Sequence, residues 1–170
     1  MISSRRPSAA KRSKMADMMR TERVARAIEL HLSGYNCAQA VLLAFGDLTG
    51  LDESALMKVA SDFGGGVSGT HGQCGAISGM LMALGLIRGY DDINDLSHKQ
   101  RLYAEGAMLI NAFKAEFGTA NCAELKENVV PRYEETNHPL VTEEFPKPCS
   151  PFVAYAAALL DSFLKERGIG

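Results

Sequence analysis

Apolar residues recur at the spacing of an α-helix through most of this chain, in segments separated by capping residues and glycines. No segment has a convincing strand partner, and no internal repeat is found. The sequence therefore predicts an all-α, single-domain helical bundle of about six to seven helices. These helices are predicted over about residues 15–33, 36–45, 52–63, 75–88, 97–117, a short helix from 121, and 150–163.

Side chains that cap helices precede most of these segments. Ser, Asp and Asn accept hydrogen bonds from the unpaired N–H groups of a first helical turn, so each is a preferred residue at a helix start. The predicted N-caps are Asn36, Asp52, Ser97, Asn121 and Ser150.

Two segments do not fit a helix. Residues 64–75 (GGGVSGTHGQCG) are too rich in glycine for any regular element and predict a loop. The spacing of Gly64, Gly66 and Gly69 matches a dinucleotide-binding fingerprint, but it follows a helix where that motif requires a strand, which disfavours a nucleotide site. Residues 128–149 hold four prolines and two Glu-Glu pairs, so we expect an extended, exposed Pro-rich loop that covers or completes a site.

Charge divides the chain into a short arm and a domain. The first twenty residues contain six Lys or Arg and one Asp, which leaves 12 basic and 19 acidic residues for the rest. We predict a disordered basic arm over 1–14 and a four-cysteine helical domain over 15–170. The acidic domain repels phosphate backbones, so no nucleic-acid partner is expected.

The longest apolar run, residues 76–87, is too short to cross a membrane. It is typical of a buried helix, within one chain or shared in a homodimer. The N-terminus lacks the apolar stretch of an export signal, so a cytoplasmic protein is expected. In that reducing compartment, catalytic or metal-binding thiols are commoner than permanent disulfides.

The four cysteines each fall where a helix is predicted to begin. The first turn of a helix carries free N–H groups and the positive end of the dipole, which favour a thiolate over a thiol. Thiolates attack disulfides and bind metals, so this placement indicates thiol or metal chemistry. The residues concerned are Cys37, Cys74, Cys122 and Cys149.

The spacing of the cysteines argues against common metal motifs. It contains no Cys-x-x-Cys pair, which structural zinc sites usually have, and no ferredoxin-type run. A four-thiolate site assembled from separate helix ends could hold an iron–sulfur cluster or work as two reactive dithiols. In either case the glycines of the loop would let backbone N–H groups approach a sulfur atom, and the candidates are Gly65, Gly66, Gly72 and Gly75.

The pattern resembles a known family. Residues 34–41 (GYNCAQAV), residues 74–79 (CGAISG) and the single downstream cysteines Cys122 and Cys149 resemble the family of redox-active proteins called C_GCAxxG_C_C. The resemblance covers roughly residues 34–152. It implies a redox role for the four cysteines, and relatives resembling cytochrome-associated domains imply an iron–sulfur centre.

Three hypotheses follow. The first is an electron-transfer protein with an iron–sulfur cluster on Cys37, Cys74, Cys122 and Cys149, working with an unidentified redox partner protein. The second is a thiol–disulfide oxidoreductase in which Cys74, exposed by the glycines, is the nucleophile and Cys37 takes part. The third is a non-catalytic helical binding module in which the cysteines only pack.

Among the histidines, only His71 is close to a cysteine in sequence. Three residues before Cys74, it could lower the pKa of that thiol or replace a thiolate as ligand. His31, His98 and His138 are predicted to lie on the surface.

Overall fold

The computed structural model describes residues 9–131 and 148–170, and within them the regular structure is helical. The all-α prediction is confirmed. The described residues form nine α-helices: α1 Ala9–Met18, α2 Glu22–Leu32, α3 Cys37–Leu43, α4 Gly46–Thr49, α5 Glu53–Ala60, α6 Gly75–Arg88, α7 Leu96–Phe117, α8 Cys122–Glu124 and α9 Ser150–Lys165. A 3-10 turn, Ser61–Phe63, follows α5, and a π-helical turn, Leu125–Val129, follows α8.

The first predicted helix is two helices in the structure. Helix α1 ends at Met18, and the Thr21 side chain accepts a hydrogen bond from the Val24 N–H at the start of α2. The division into two helices, together with the short helix α4, explains why the described residues contain more helices than predicted. Helix α1 begins at Ala9, within the range predicted for the basic arm, 1–14. Residues 1–8 lie outside the described part of the chain.

Two of the predicted N-caps are wrong by one or two residues. Asp95 caps α7 instead of Ser97, because its carboxylate accepts from the His98 N–H at 2.9 Å. Cys149 occupies the N-cap position of α9, and Ser150 is already helical. The prediction of Asn36 as an N-cap is confirmed. Its side chain accepts a hydrogen bond from the Gln39 N–H, and the Gln39 side chain accepts one from the Asn36 N–H, which forms a capping box at the start of α3.

Helix α9 is the centre of the bundle. Fourteen of its 16 residues are buried, which leaves almost no face for solvent. It packs against α2, α3, α6 and α7. Its Phe152 and Tyr155 pack on Phe117 of α7, with ring centroids 4.9 Å and 5.2 Å apart.

Helices α3 and α6 pack closely against each other. Gly79 has no room for a side chain, because a Cβ there would lie 2.3 Å from the Ala38 carbonyl oxygen. The lack of a side chain at Gly79 therefore lets the backbones of the two helices approach. None of the helices in the described residues is long and apolar enough to cross a membrane.

The two predicted loops have different outcomes. Residues 64–74 form an irregular loop, as expected, and α6 starts at Gly75. The Pro-rich loop was predicted from residue 128, but residues 128–131 are helical. Residues 132–147, which carry the rest of that prediction, lie outside the described residues.

Candidate functional site

Each cysteine lies at the start of a helix, as predicted. Cys37 and Cys122 are the first residues of α3 and α8, and Cys74 and Cys149 occupy the N-cap positions of α6 and α9. All four are free thiols. The sequence signal for these positions was the capping pattern of the neighbouring residues.

The four cysteines also meet in space. Together they line one cavity of about 60 Å³, large enough for a few water-sized groups. The other lining residues are three glycines, two apolar side chains and one lysine: Gly65, Gly66, Gly75, Leu125, Phe152 and Lys126. Four separate helix ends thus bring sulfur atoms from distant parts of the sequence into a single site.

A short piece of antiparallel pairing aligns two of these cysteines. Gln73 and Asn121 form an isolated β-bridge. On either side of it, the Cys74 N–H donates to the Ala120 carbonyl at 2.9 Å and the Cys122 N–H donates to the Gly72 carbonyl at 2.6 Å. Because side chains alternate between faces along an extended segment, Cys74 and Cys122 lie on the same face of this bridge.

Glycines leave space for the sulfur atoms. A Cβ on Gly66 would lie 2.7 Å from the Cβ of Cys122, and a Cβ on Gly75 would lie 3.2 Å from the Cβ of Cys37. Of the four glycines predicted to face the site, Gly65, Gly66 and Gly75 line the cavity. Gly72 is not a lining residue, and it acts instead through its carbonyl, which holds the backbone of Cys122.

The glycine loop is held in a strained form. Three residues other than glycine, Val67, Ser68 and His71, have φ between +52° and +66°, a region that side chains disfavour. Hydrogen bonds fix this conformation: the Ser68 N–H donates to the Asp62 carbonyl at 2.8 Å, and the His71 N–H donates to the Gly65 carbonyl at 3.0 Å. Strain of this kind is concentrated at functional sites.

Cys37 and Cys149 lie in the same cavity and influence each other's ionisation. Hydrogen bonding with the Cys37 thiol lowers the pKa of Cys149 to about 7, with a smaller lowering from the charge of Lys126, although partial burial opposes both. The same interaction, with burial, raises the pKa of Cys37 far above that of a free thiol. Near neutral pH a substantial fraction of Cys149 is therefore a thiolate beside a Cys37 thiol.

Burial is the largest influence on the pKa values of Cys74 and Cys122, whereas the pKa values of Cys37 and Cys149 depend mainly on each other. Burial raises the pKa of Cys74 to about 12, although the N–H groups of Ala76 and Ile77 act in the opposite direction. Burial also raises the pKa of Cys122. The expectation that the glycines expose Cys74 is wrong, because only 4% of that residue is accessible to solvent.

Lys126 was missed in the sequence. It lies on the π-helical turn after α8, is exposed, and supplies the only charged side chain among the cavity-lining residues that the structure describes. Its charge lowers the pKa of both Cys122 and Cys149. The sequence signal that could have identified Lys126 is its position four residues after Cys122, because this spacing places two residues on one face of a helix.

The histidines occupy different places from those predicted. His71 is exposed and near a cysteine, but its partner is Cys122, with Nδ1 4.0 Å from Sγ. His31 is buried at 8% exposure, so its predicted surface position is wrong. His98 is partly buried and contacts the Arg88 carbonyl through Nε2 at 2.7 Å. His138 lies outside the described residues.

The donor set is of the kind that holds an iron–sulfur cluster, since four cysteine sulfurs face one space. No three His, Cys, Asp or Glu side chains in residues 9–131 and 148–170 are arranged to bind one metal ion. The four thiols therefore match a four-cysteine cluster in the number of ligands.

Comparison with known proteins agrees with the cysteine pattern. A family model described as "Putative redox-active protein (C_GCAxxG_C_C)" matches residues 35–163, which include all four cysteines. The chain is also 29% identical over 149 residues to a protein from Archaeoglobus fulgidus that carries the name "Uncharacterized protein", covering 84% of this chain and 93% of that protein. No solved structure matches this chain.

Proposed function

Because this chain belongs to the C_GCAxxG_C_C family of redox-active proteins, we propose that it is a thiol–disulfide redox protein whose working pair is Cys149 and Cys37. The observation that carries the proposal is that Cys37 and Cys149 line the same small cavity, where the interaction of the two thiols lowers the pKa of Cys149. Redox-active dithiols combine a stabilised thiolate with a second thiol that resolves the first product.

The reaction transfers two electrons. The Cys149 thiolate attacks one sulfur of an oxidised partner's disulfide, a mixed disulfide forms, and the partner's other sulfur leaves as a thiolate. Cys37 then loses its proton and attacks the Cys149 sulfur, which forms the Cys37–Cys149 disulfide and releases the second partner thiolate. The two partner thiolates take up the proton that Cys37 lost and one proton from solvent, so the partner is reduced and this chain is oxidised. The reverse sequence restores the dithiol, and a redox partner protein in a reducing cytoplasm would drive it.

The proposal replaces Cys74 by Cys149 as nucleophile. Cys74 is almost fully buried and its pKa is raised, whereas Cys149 is half-buried and its pKa is lowered. An attacking thiol works best when its pKa is near the ambient pH. Cys37 keeps the participating role predicted for it, as the resolving thiol.

Alkylation kinetics test this assignment. The reduced protein is treated with iodoacetamide from pH 5 to 10, and the modified cysteines are identified by peptide mass spectrometry. Cys149 should react first, with a midpoint near pH 7, and Cys37→Ser should shift that midpoint upward because a serine hydroxyl is a weaker partner for the thiolate. Cys74→Ser serves as the control and should leave the midpoint unchanged. A faster reaction at Cys74 than at Cys149 would contradict the proposal.

An iron–sulfur electron-transfer protein is the second candidate. A specific observation favours it: all four cysteines line the cavity, although a dithiol needs only two. A cluster, when bound, would supply one-electron transfer. Cys37, Cys74, Cys122 and Cys149 would hold it, and the glycine backbone would limit solvent access to the sulfurs.

A comparison of the wild-type protein with one variant separates the two candidate functions. Anaerobic reconstitution with iron and sulfide, followed by iron assay and visible absorption, measures the cluster. Cys122→Ser should weaken a four-cysteine cluster but leave oxidation of the Cys37–Cys149 pair intact. A wild-type protein that stays colourless and iron-free after reconstitution excludes the second candidate and leaves the first.

A further inference from the structure

The cavity that holds the reactive pair is small. Its volume of about 60 Å³ is that of a few water-sized groups. Leu125 and Phe152 supply apolar walls, and Gly66 leaves room for Cys122 because it has no side chain. Among the lining residues, Gly65 and Lys126 are exposed and Cys37 and Cys149 are partly exposed. A hydroperoxide is small enough to enter this volume, whereas a larger disulfide has to meet Cys149 where that residue reaches the surface.

The charge beside the Cys149 sulfur suits a small oxidant whose leaving group is an anion. Lys126 lies beside the Cys149 sulfur and already stabilises negative charge there. The same ammonium group can stabilise negative charge on the oxygen that is released when an O–O bond breaks next to this sulfur. The Cys37 thiol lines the same cavity, so a second nucleophile is in place for an oxidised product of Cys149.

We propose that the four-cysteine cavity takes a small hydroperoxide, of which hydrogen peroxide is the simplest, as the oxidant of the Cys149–Cys37 pair. This inference rests on the proposed thiol–disulfide function and names its substrate class. The Cys149 sulfur attacks one peroxide oxygen, the O–O bond breaks, and a sulfenic acid forms while hydroxide leaves and takes up a proton to give water. Cys37 then loses its proton and attacks the sulfenic sulfur, which breaks the S–O bond, forms the disulfide and releases a second water. Two thiols are oxidised for each peroxide reduced.

The test compares two oxidants of different size on the reduced full-length protein without oxygen. Equal concentrations of hydrogen peroxide and of glutathione disulfide are added, the thiols are blocked at timed points, and the Cys37–Cys149 cross-link is measured by peptide mass spectrometry. We expect hydrogen peroxide to form the cross-link faster than glutathione disulfide and to be consumed in equal amount. With Cys37→Ser, a sulfenic acid on Cys149 should accumulate and react with dimedone.

Variants at Lys126 test its part in the reaction. Lys126→Ala should slow cross-linking by hydrogen peroxide, whereas Lys126→Arg keeps the charge and should largely retain the rate. Lys58→Ala, which removes an exposed lysine on α5, is the matched control and should change nothing. Circular dichroism establishes that each variant keeps its helical content.

The outcomes are distinguishable. If glutathione disulfide forms the cross-link as fast as hydrogen peroxide does, or faster, the hydroperoxide inference is wrong and the thiol–disulfide function stands. If neither oxidant joins Cys37 to Cys149, both are wrong. A dimedone adduct on Cys74 instead of Cys149 would also overturn the assignment of the oxidised residue.

Discussion

Gly79 of α6 and Ala38 of α3 are so close that a Cβ on Gly79 would lie 2.3 Å from the Ala38 carbonyl oxygen. Ala38 follows Cys37, and Gly79 lies just over one turn after Cys74. This backbone contact therefore fixes the distance between the helix starts that carry two of the four sulfurs. The packing of α3 on α6 therefore also determines the geometry of the four-cysteine site.

Gly79→Ala should destabilise the protein because the two backbones must separate to admit the methyl group. Overpacking of this kind costs about 1–3 kcal/mol. Gly85→Ala on the same helix is the matched control: nothing lies within 4 Å of its added Cβ, so it should stabilise the protein by roughly 0.5–1 kcal/mol through helix propensity. Urea unfolding measures both. Equal effects at the two positions would show that the contact with Ala38 is unimportant.

Gly66→Ala should be more damaging than Gly69→Ala, although both residues have φ of +71°. The shared backbone strain costs each variant about 1 kcal/mol. Only at Gly66 does the new Cβ meet another residue, at 2.7 Å from the Cβ of Cys122, whereas nothing lies within 4 Å at Gly69.

The difference between these two variants in the free energy of unfolding therefore measures the clash of the added Cβ with Cys122 and with the loop backbone, where the Gly72 nitrogen also lies at 2.7 Å. Gly66→Ala should also change the rate at which Cys122 is alkylated, since that side chain must move. Identical stabilities and identical alkylation rates would mean that Gly66 does not shape the cavity.

The placement of cysteines at helix starts could be predicted from the sequence. Capping residues such as Asn36 and Asn121 mark helix starts by local hydrogen bonding, and their signal is contained in a few consecutive residues. The prediction that Cys37 and Cys122 begin helices therefore agrees with the structure. The all-α class was predictable for the same reason, because helical periodicity is local.

Features that depend on tertiary packing were not predictable in this way. The burial of Cys74 follows from the placement of α6 in the core and from its pairing with Ala120, which is far away in sequence. The pairing of Cys37 with Cys149 joins residues from opposite ends of the domain. A glycine-rich neighbourhood suggested exposure, but in this fold the glycines permit close backbone approach instead.

Protonation of Cys149 should make stability depend on pH. Its pKa is about 7 in the folded protein and near 9 in the unfolded chain, so between these values the unfolded state binds more protons and stability rises with pH. This difference corresponds to at most roughly 3 kcal/mol of stability, present in full above pH 9 and lost as the pH falls through 7. Above pH 9 the raised pKa values of Cys37 and Cys74 reverse the slope, because only the unfolded chain then loses those protons.

Unfolding free energies of the reduced protein, measured in urea from pH 6 to 10, check this dependence. Cys149→Ser should abolish the rise between pH 7 and 9, and Cys74→Ser should keep it. A rise that persists without Cys149 would have to come from another group.

Lys126→Ala should raise the pKa of Cys149, because the lysine charge favours the thiolate. Lys126 is exposed, so solvent screens its effect to about 0.2–1 kcal/mol, less than one pKa unit. The midpoint of iodoacetamide alkylation at Cys149 measures the shift, and it should be larger at low salt than at 1 M salt because ions screen an exposed charge. Lys126→Arg should leave the midpoint in place, since the charge is retained. A midpoint that is the same in wild type and Lys126→Ala at both salt concentrations would show that the Cys37 thiol alone sets the pKa of Cys149.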